Sequence, residues 1–353
     1  MSGLTPILHR LIQTRGPLTL AEYMAECLFH PEFGYYATRD PFGTKGDFIT
    51  APEISQMFGE LIGLCLAQAW INQGSPARFV LAELGPGRGT LMADALRATR
   101  AVPGFHAAAE VHLVEASPHL KSVQSQTLAG FAPHWHDRID SLPEAPLFLI
   151  ANEFFDALPI RQYIRNGDLW EERHIGLRDG VLAFGKAAAT RVPSLDHRLA
   201  DTRDGDLVED CPTATAISQA IGARLAQNGG TALLIDYGDW RSLGDTFQAL
   251  HGHEPVNPLE KPGECDLTAH VDFELIARAA PCRHTRLTPQ GVFLERLGIA
   301  PRAQALASHL AGDALDQHIA AHRRLTHPSE MGTLFKVLGL YPEGSAPPPG
   351  LDP

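Results

Sequence analysis

Four strand-length, predominantly apolar runs, at residues 79–82, 111–114, 147–151 and 231–235, constrain this chain more than any other feature. None of them alternates with polar residues, and a helical or longer segment separates each from the next. Strands buried on both faces read this way, and short strands joined through helices run parallel. The expected fold class is therefore α/β, a doubly wound Rossmann-like sheet. The connecting helices are expected at residues 90–100, about 120–129 and 214–227, the last stopped by Asn228-Gly229-Gly230. A core helix is expected over residues 54–70, where Ile54, Met57, Phe58, Leu61, Ile62, Cys65, Leu66, Ala69 and Trp70 recur at helical spacing. Thr50-Ala51-Pro52-Glu53 has the form of a capping box for it.

Residues 1–50 are broken by Gly and Pro and read as short helices joined by long turns. Residues 160–210 alternate and carry Asn166-Gly167, a hairpin signal, so an inserted antiparallel unit is expected there. Residues 341–353, with Pro347-Pro348-Pro349, read as a disordered tail. The resulting division is an N-terminal helical lid region (1–75), a catalytic domain in two stretches (76–159 and 211–340), the insertion (160–210) and the tail.

Charge and cysteine content narrow the function. With 29 Lys and Arg against 41 Asp and Glu, a net charge of −12, the chain lacks the basic footprint of nucleic-acid binding, and a basic protein or peptide is favoured as partner. The five cysteines include no C-x-x-C pair, so neither a disulfide framework nor a zinc site is expected, and no metal is assigned. No apolar stretch approaches the roughly 20 residues that span a bilayer. The first residues lack the pattern of a secretory leader, so a cytoplasmic protein is expected.

The segment Glu83-Leu84-Gly85-Pro86-Gly87-Arg88-Gly89-Thr90 ends a strand, turns on three glycines and opens a helix. Such a loop lets a ligand approach the backbone at the carboxyl end of a parallel strand. The dinucleotide fingerprint would need Gly where Thr90 stands, and no G-K-S/T follows, so a phosphate cradle is disfavoured. Glu115 ends the second strand, where a carboxylate can accept both hydroxyls of a ribose. Loop and acid together indicate adenosine without a pyrophosphate.

Glu83 to Gly89 with Glu115 is similar to the S-adenosylmethionine-binding pattern of class I methyltransferases. More specifically, GDFITAPEISQMFGE (46–60), ELGPGRGTLMADALR (83–97), NEFFDALP (152–159), IDYG (235–238), DLTAHVDF (266–273) and MGTLFKVL (331–338) resemble the MidA family, the mitochondrial complex I assembly-factor family of protein arginine methyltransferases, which has bacterial members. The resemblance runs from about residue 5 to 340. It implies a class I methyltransferase sheet with an N-terminal helical extension and an insertion, S-adenosyl-L-methionine as cofactor, and transfer of methyl to arginine on a protein. A respiratory-complex subunit is the partner it suggests, and its eukaryotic relatives work in the mitochondrial matrix.

Methyl transfer from a sulfonium needs alignment and exclusion of water rather than a metal. A guanidinium acceptor also needs carboxylates, to orient its charge and to receive a proton. Asn152-Glu153-Phe154-Phe155-Asp156 supplies them at the end of the third strand: Asn152 as a cofactor-side positioning group, Glu153 for the acceptor's charge and Asp156 as a second carboxylate. Gly46 and Thr50 precede a helix N-terminus that would favour the methionine carboxylate. The expected cofactor-binding set is thus Gly46, Thr50, Glu83, Gly85, Gly87, Gly89, Glu115 and Asn152, and the expected catalytic set is Glu153, Asp156 and His270. His270 can alternatively belong to a helix start capped by Thr268 or Asp266. His134-Trp135-His136 and His251-Gly252-His253 are expected in solvated loops, and Tyr35-Tyr36 over a ligand or in the core. Two other functions fit the residues, a small-molecule O- or N-methyltransferase and a cofactor-binding assembly chaperone.

Overall fold

The computed structural model describes residues 3–38, 50–252 and 254–353. The chain opens with α1 (Thr5–Arg15) and α2 (Leu20–Phe29), followed by the short α3 (Ala51–Ile54) and the long α4 (Gln56–Asn72). Next come β1 (Phe79–Leu84), α5 (Thr90–Ala98), β2 (Ala109–Val114), α6 (Pro118–Thr127), β3 (His134–His136) and β4 (Leu147–Asn152). The insertion supplies β5 (Arg161–Asn166), β6 (Leu169–Arg178), β7 (Val181–Lys186) and β8 (Leu207–Asp210). The remainder holds α7 (Pro212–Asn228), β9 (Gly230–Asp239), β10 (Gln248–His251), β11 (Asp266–Thr268), α8 (Phe273–Ala279), α9 (Gln290–Arg296), α10 (Ile299–Ala307), α11 (Asp313–Thr326) and β12 (Phe335–Tyr341).

The central sheet is the doubly wound α/β sheet expected of a class I methyltransferase. Its order is Arg283–His284, β12, β9, β4, β1, β2, β3, with every pairing parallel except those of β12. Side chains alternate across the strands. Phe148 and Ile150 of β4 join Phe58, Ile62 and Leu66 of α4 on one face, while Leu147, Leu149 and Ala151 join Ile221 and Leu225 of α7 and Phe273 and Ile276 of α8 on the other. Both faces are covered, which is why the strands read as unbroken apolar runs.

One close approach sets the position of α5, and therefore of the glycine loop that opens it. Gly59 and Gly63 of α4 lie against α5, where a Cβ on Gly63 would stand 2.6 Å from the Ala95 Cα. The helices touch backbone to backbone there, and no larger residue fits.

The insertion is antiparallel, with Asn166↔Leu169 closing the turn that Asn166-Gly167 predicted. α1 and α2 build a separate apolar cluster with Ile160, Ile175 and Leu182, and with Phe247, Ala249 and Leu267, whereas α4 belongs to the sheet's own core. Among the described residues no helix is long and apolar enough to cross a membrane.

Three local expectations are corrected. The capping box does not form: the Thr50 side chain caps nothing, because Glu53 Oε1 instead accepts from Thr90 Oγ1 at 2.6 Å. The helix breaks at Ser55, whose hydroxyl accepts from Met57 N and caps α4. His134-Trp135-His136 is a strand rather than a loop, held by His112 Nδ1 to His136 Nε2 at 2.8 Å and by the Trp135 indole donating to Gln124 Oε1 at 2.8 Å. The end of the chain is packed rather than disordered. Leu351 enters the core, Pro348 and Leu351 cover the bare backbone of Gly339, and Asp352 pairs with Arg296 at 2.9 Å. The proline run finds a partner surface that composition alone does not reveal. His251 lies in β10, and His253 lies outside the described residues.

Candidate active site

The polar residues of interest gather at the carboxyl ends of β1, β2, β4 and β9, where parallel strands leave a crevice. The glycine loop turns with Gly85, Gly87 and Gly89 all at positive φ, between 53° and 81°. L side chains rarely take that conformation. At Gly85 a Cβ would also stand 2.9 Å from the Phe154 ring, so the loop and the turn after β4 are in mutual contact.

Glu83 stands just before this loop and is 3% exposed. Its Oε2 has no partner among the described residues, and burial pushes its carboxyl up to about 8, against a hydrogen bond from the Met92 backbone. Glu115 Oε1 accepts from Ser117 N at 2.8 Å and Oε2 from Gln124 Nε2 at 3.3 Å; burial raises its carboxyl also. The same Gln124 amide donates to Gly87 O at 2.7 Å, which ties the acid after β2 to the loop after β1.

After β4 the chain bends through Glu153, a non-glycine residue at φ 51°. Asn152 Nδ2 donates to Glu153 Oε1 at 3.1 Å, while Asn152 Oδ1 is buried with no partner among the described residues. Glu153 Oε1 also accepts from Ala51 N at 3.0 Å, so this carboxylate caps α3. Through Ala51 to Glu153 and Glu53 to Thr90, α3 bridges the turn after β4 and the helix after the glycine loop. Burial, with the charge of Asp156, pushes Glu153 up to about 7. Burial likewise pushes Asp156 up to about 6, against a hydrogen bond from the Tyr237 phenol, and its Oδ1 lacks a partner among the described residues.

Glu83, the three loop glycines, Glu115, Asn152, Glu153 and Asp156 thus converge, and Thr50 leads directly into α3 beside them. His270 stands apart. Its ring meets the edge of Tyr237 at 5.3 Å, leaving one aromatic ring between it and Asp156, and its backbone N–H donates to Thr246 Oγ1. Burial lowers its pKa. The helix start near it is capped by Asp272, which accepts from Leu275 N, rather than by Thr268 or Asp266. Tyr35 is buried core, and Tyr36 donates its phenol to Asp266 Oδ1 at 3.2 Å. Gly46 lies outside the described residues.

Sequence reasoning assigned no role to Asp236, Tyr237 or Gln124. The only signal was a carboxylate closing an otherwise apolar strand in IDYG, and a lone Gln in a helix gives none.

These residues suit an adenosine-bearing sulfonium ligand. Two buried acceptor oxygens, on Glu83 and Asn152, lack donors that ribose hydroxyls and an ammonium would provide. The loop offers bare backbone at a helix start.

Comparison with known proteins agrees. Residues 61–292 match a family profile described as "Putative S-adenosyl-L-methionine-dependent methyltransferase". The chain is 36% identical to the mitochondrial protein arginine methyltransferase NDUFAF7 homolog of Drosophila melanogaster, over 95% of this chain and 84% of that one. It is 35% identical to the NDUFAF7 of Homo sapiens, over 96% and 84%. A crystal structure from Burkholderia thailandensis bound to S-adenosyl-homocysteine superposes with a TM-score of 0.82 at 28% identity, covering 99% of this chain and 92% of that one. The chain belongs to the MidA family of S-adenosylmethionine-dependent methyltransferases.

Proposed function

We propose that this methyltransferase acts on arginine side chains of a protein, with a respiratory-complex subunit as the first acceptor to examine and the bacterial cytoplasm as the place of action. The observation that carries the reading is the pair Glu153, half-buried, and Asp156, buried, at the strand ends with carboxyls raised to about 7 and about 6. A guanidinium is recognised by carboxylates, and a group poised near neutrality is suited to receive a proton. The name that the relatives carry, protein arginine methyltransferase, supports the same substrate class.

Bound S-adenosylmethionine supplies a methyl group on a sulfonium, already activated for in-line displacement. The chain's residues divide the remaining work. Glu83, Gly85, Gly87, Gly89, Glu115 and Asn152 hold the cofactor, with Thr50 at its rim; Gly46 is assigned to the same set from the sequence. Glu153 orients the guanidinium's charge, which in turn draws the carboxylate toward its ionised form. As the new C–N bond forms and the C–S bond breaks, the acceptor nitrogen loses a proton to Asp156. His270, across the Tyr237 ring from Asp156, is the second proton acceptor in this reading.

The test incubates the purified chain and tritiated S-adenosylmethionine with a lysate of cells that lack the gene, followed by mass spectrometry of labelled peptides. Methylarginine in a discrete protein supports the proposal. Label in a small molecule, or in another residue type, overturns it. Support of a partner's assembly by a variant without transfer activity would instead favour the chaperone role.

A further inference from the structure

Asp236 of β9 is buried, 1% exposed. Its Oδ2 accepts from three successive backbone amides, Phe154 N at 3.2 Å, Phe155 N at 3.0 Å and Asp156 N at 3.2 Å. Oδ1 accepts from Tyr237 N at 3.0 Å. Glu153 N, the preceding amide, donates to Ile235 O at 2.9 Å, so four consecutive amides of the turn are pinned to residues 235 and 236 of β9. Successive amides that converge on one point form a concave anion-binding nest. Here the chain fills the nest with its own carboxylate.

The position is a costly one for a third acid. Burial and the neighbouring charges of Asp156 and Glu153 push the Asp236 carboxyl upward, while the amides favour its ionised form. A turn that only had to leave a strand would not need it. What Asp236 secures is a particular shape, with Glu153 at φ 51° and its carboxylate on Ala51 N, and Asp156 beneath the Tyr237 phenol.

We propose that Asp236 is a positioning residue for methyl transfer, which gathers the amides of residues 154–156 so that Glu153 and Asp156 are presented together at the acceptor side of the site. The proposal rests on the acceptor role given above to those two residues. Asp236 acts only through them and through the backbone.

The test compares wild type, Asp236→Asn and Asp236→Ala in the full chain. Amide hydrogen exchange reads the turn directly and needs no acceptor. In Asp236→Asn, which keeps one carbonyl oxygen for the nest, the amides of residues 154–156 should exchange about tenfold faster or more, while those of β1 and β4 keep their protection. Affinity for S-adenosylhomocysteine by calorimetry should stay within about threefold of wild type. Methyl transfer to the lysate proteins should fall about ten- to a hundredfold in kcat with little change in KM, and Asn should retain more rate than Ala. Loss of the nest moves Glu153 and Asp156 out of their shared setting, so the acidic limb of the rate profile should move from its wild-type position.

Unchanged exchange at residues 154–156 in a folded variant overturns the proposal. Faster exchange with kcat and pH profile at wild-type values also overturns it, because Asp236 would then be purely structural. If wild type itself labels no arginine, the acceptor reading falls and the exchange data still decide whether Asp236 shapes the turn. Should Asp236→Ala fail to fold, the Asn variant carries the comparison alone.

Discussion

Glu83→Gln should make stability less sensitive to the rise in pH from 5 to 8, and the size of the effect follows from the site. Glu83 is buried with one oxygen unpartnered, and its carboxyl rises from the ordinary 4.5 to about 8 in the folded chain. A raised folded-state value means that the native chain binds more protons than the unfolded one. The associated stability is therefore fully present below about pH 4.5 and is lost as pH rises toward 8. At about 1.4 kcal/mol per unit, this proton linkage removes about 1 kcal/mol by pH 5 and about 4 kcal/mol by pH 8. Gln carries no titrating proton, so it abolishes the linkage at that position, at a pH-independent cost of about 1–3 kcal/mol if its amide finds no acceptor. Urea unfolding of both proteins without cofactor, at pH 5, 6, 7 and 8, isolates the term, because the other buried carboxylates are common to both. The stability difference should shift in the variant's favour by about 2–4 kcal/mol between pH 5 and pH 8. Parallel pH curves would refute the reasoning, and so would a shift toward wild type.

Three further outcomes are expected. Glu115→Ala should weaken S-adenosylhomocysteine binding about ten- to a hundredfold in calorimetry, the worth of hydrogen bonds to a charged group; unchanged affinity in a folded variant would remove Glu115 from the cofactor site. Gly87→Val places a β-branched side chain at φ 53° in the loop and should abolish that binding while circular dichroism stays native. Glu153→Gln should keep cofactor affinity and lower single-turnover transfer about a hundredfold; a loss of affinity at full turnover would move Glu153 to the cofactor side.

Much of the fold was legible because burial on both faces leaves a direct mark: runs such as 147–151 had no alternation, and their parallel direction followed. The carboxylates of the turn after β4 were legible as residue types at a strand end. What bound them together was not. Asp236 meets residues 154–156 across a long stretch of chain, and spacing carries no information about such a contact. Thr50 and Glu53 matched a local rule, yet Thr90, on another helix, offered Glu53 a better hydrogen bond, and Ser55 took over the cap. The histidines of 134–136 and the prolines of 347–349 were read from composition as exposed. Each instead found a distant partner, in His112 and in Gly339.

The antiparallel β12 gives the order of synthesis a physical significance. Residues 232–237 of β9 pair with residues 335–340, so a chain still growing from the ribosome has made its glycine loop and all its site carboxylates before that side of β9 has any neighbour. Until then an apolar strand offers a row of open backbone donors and acceptors, the geometry that recruits strands from other chains. Premature termination before residue 335 should consequently yield insoluble material rather than a weak enzyme, even though every residue assigned to the chemistry is present.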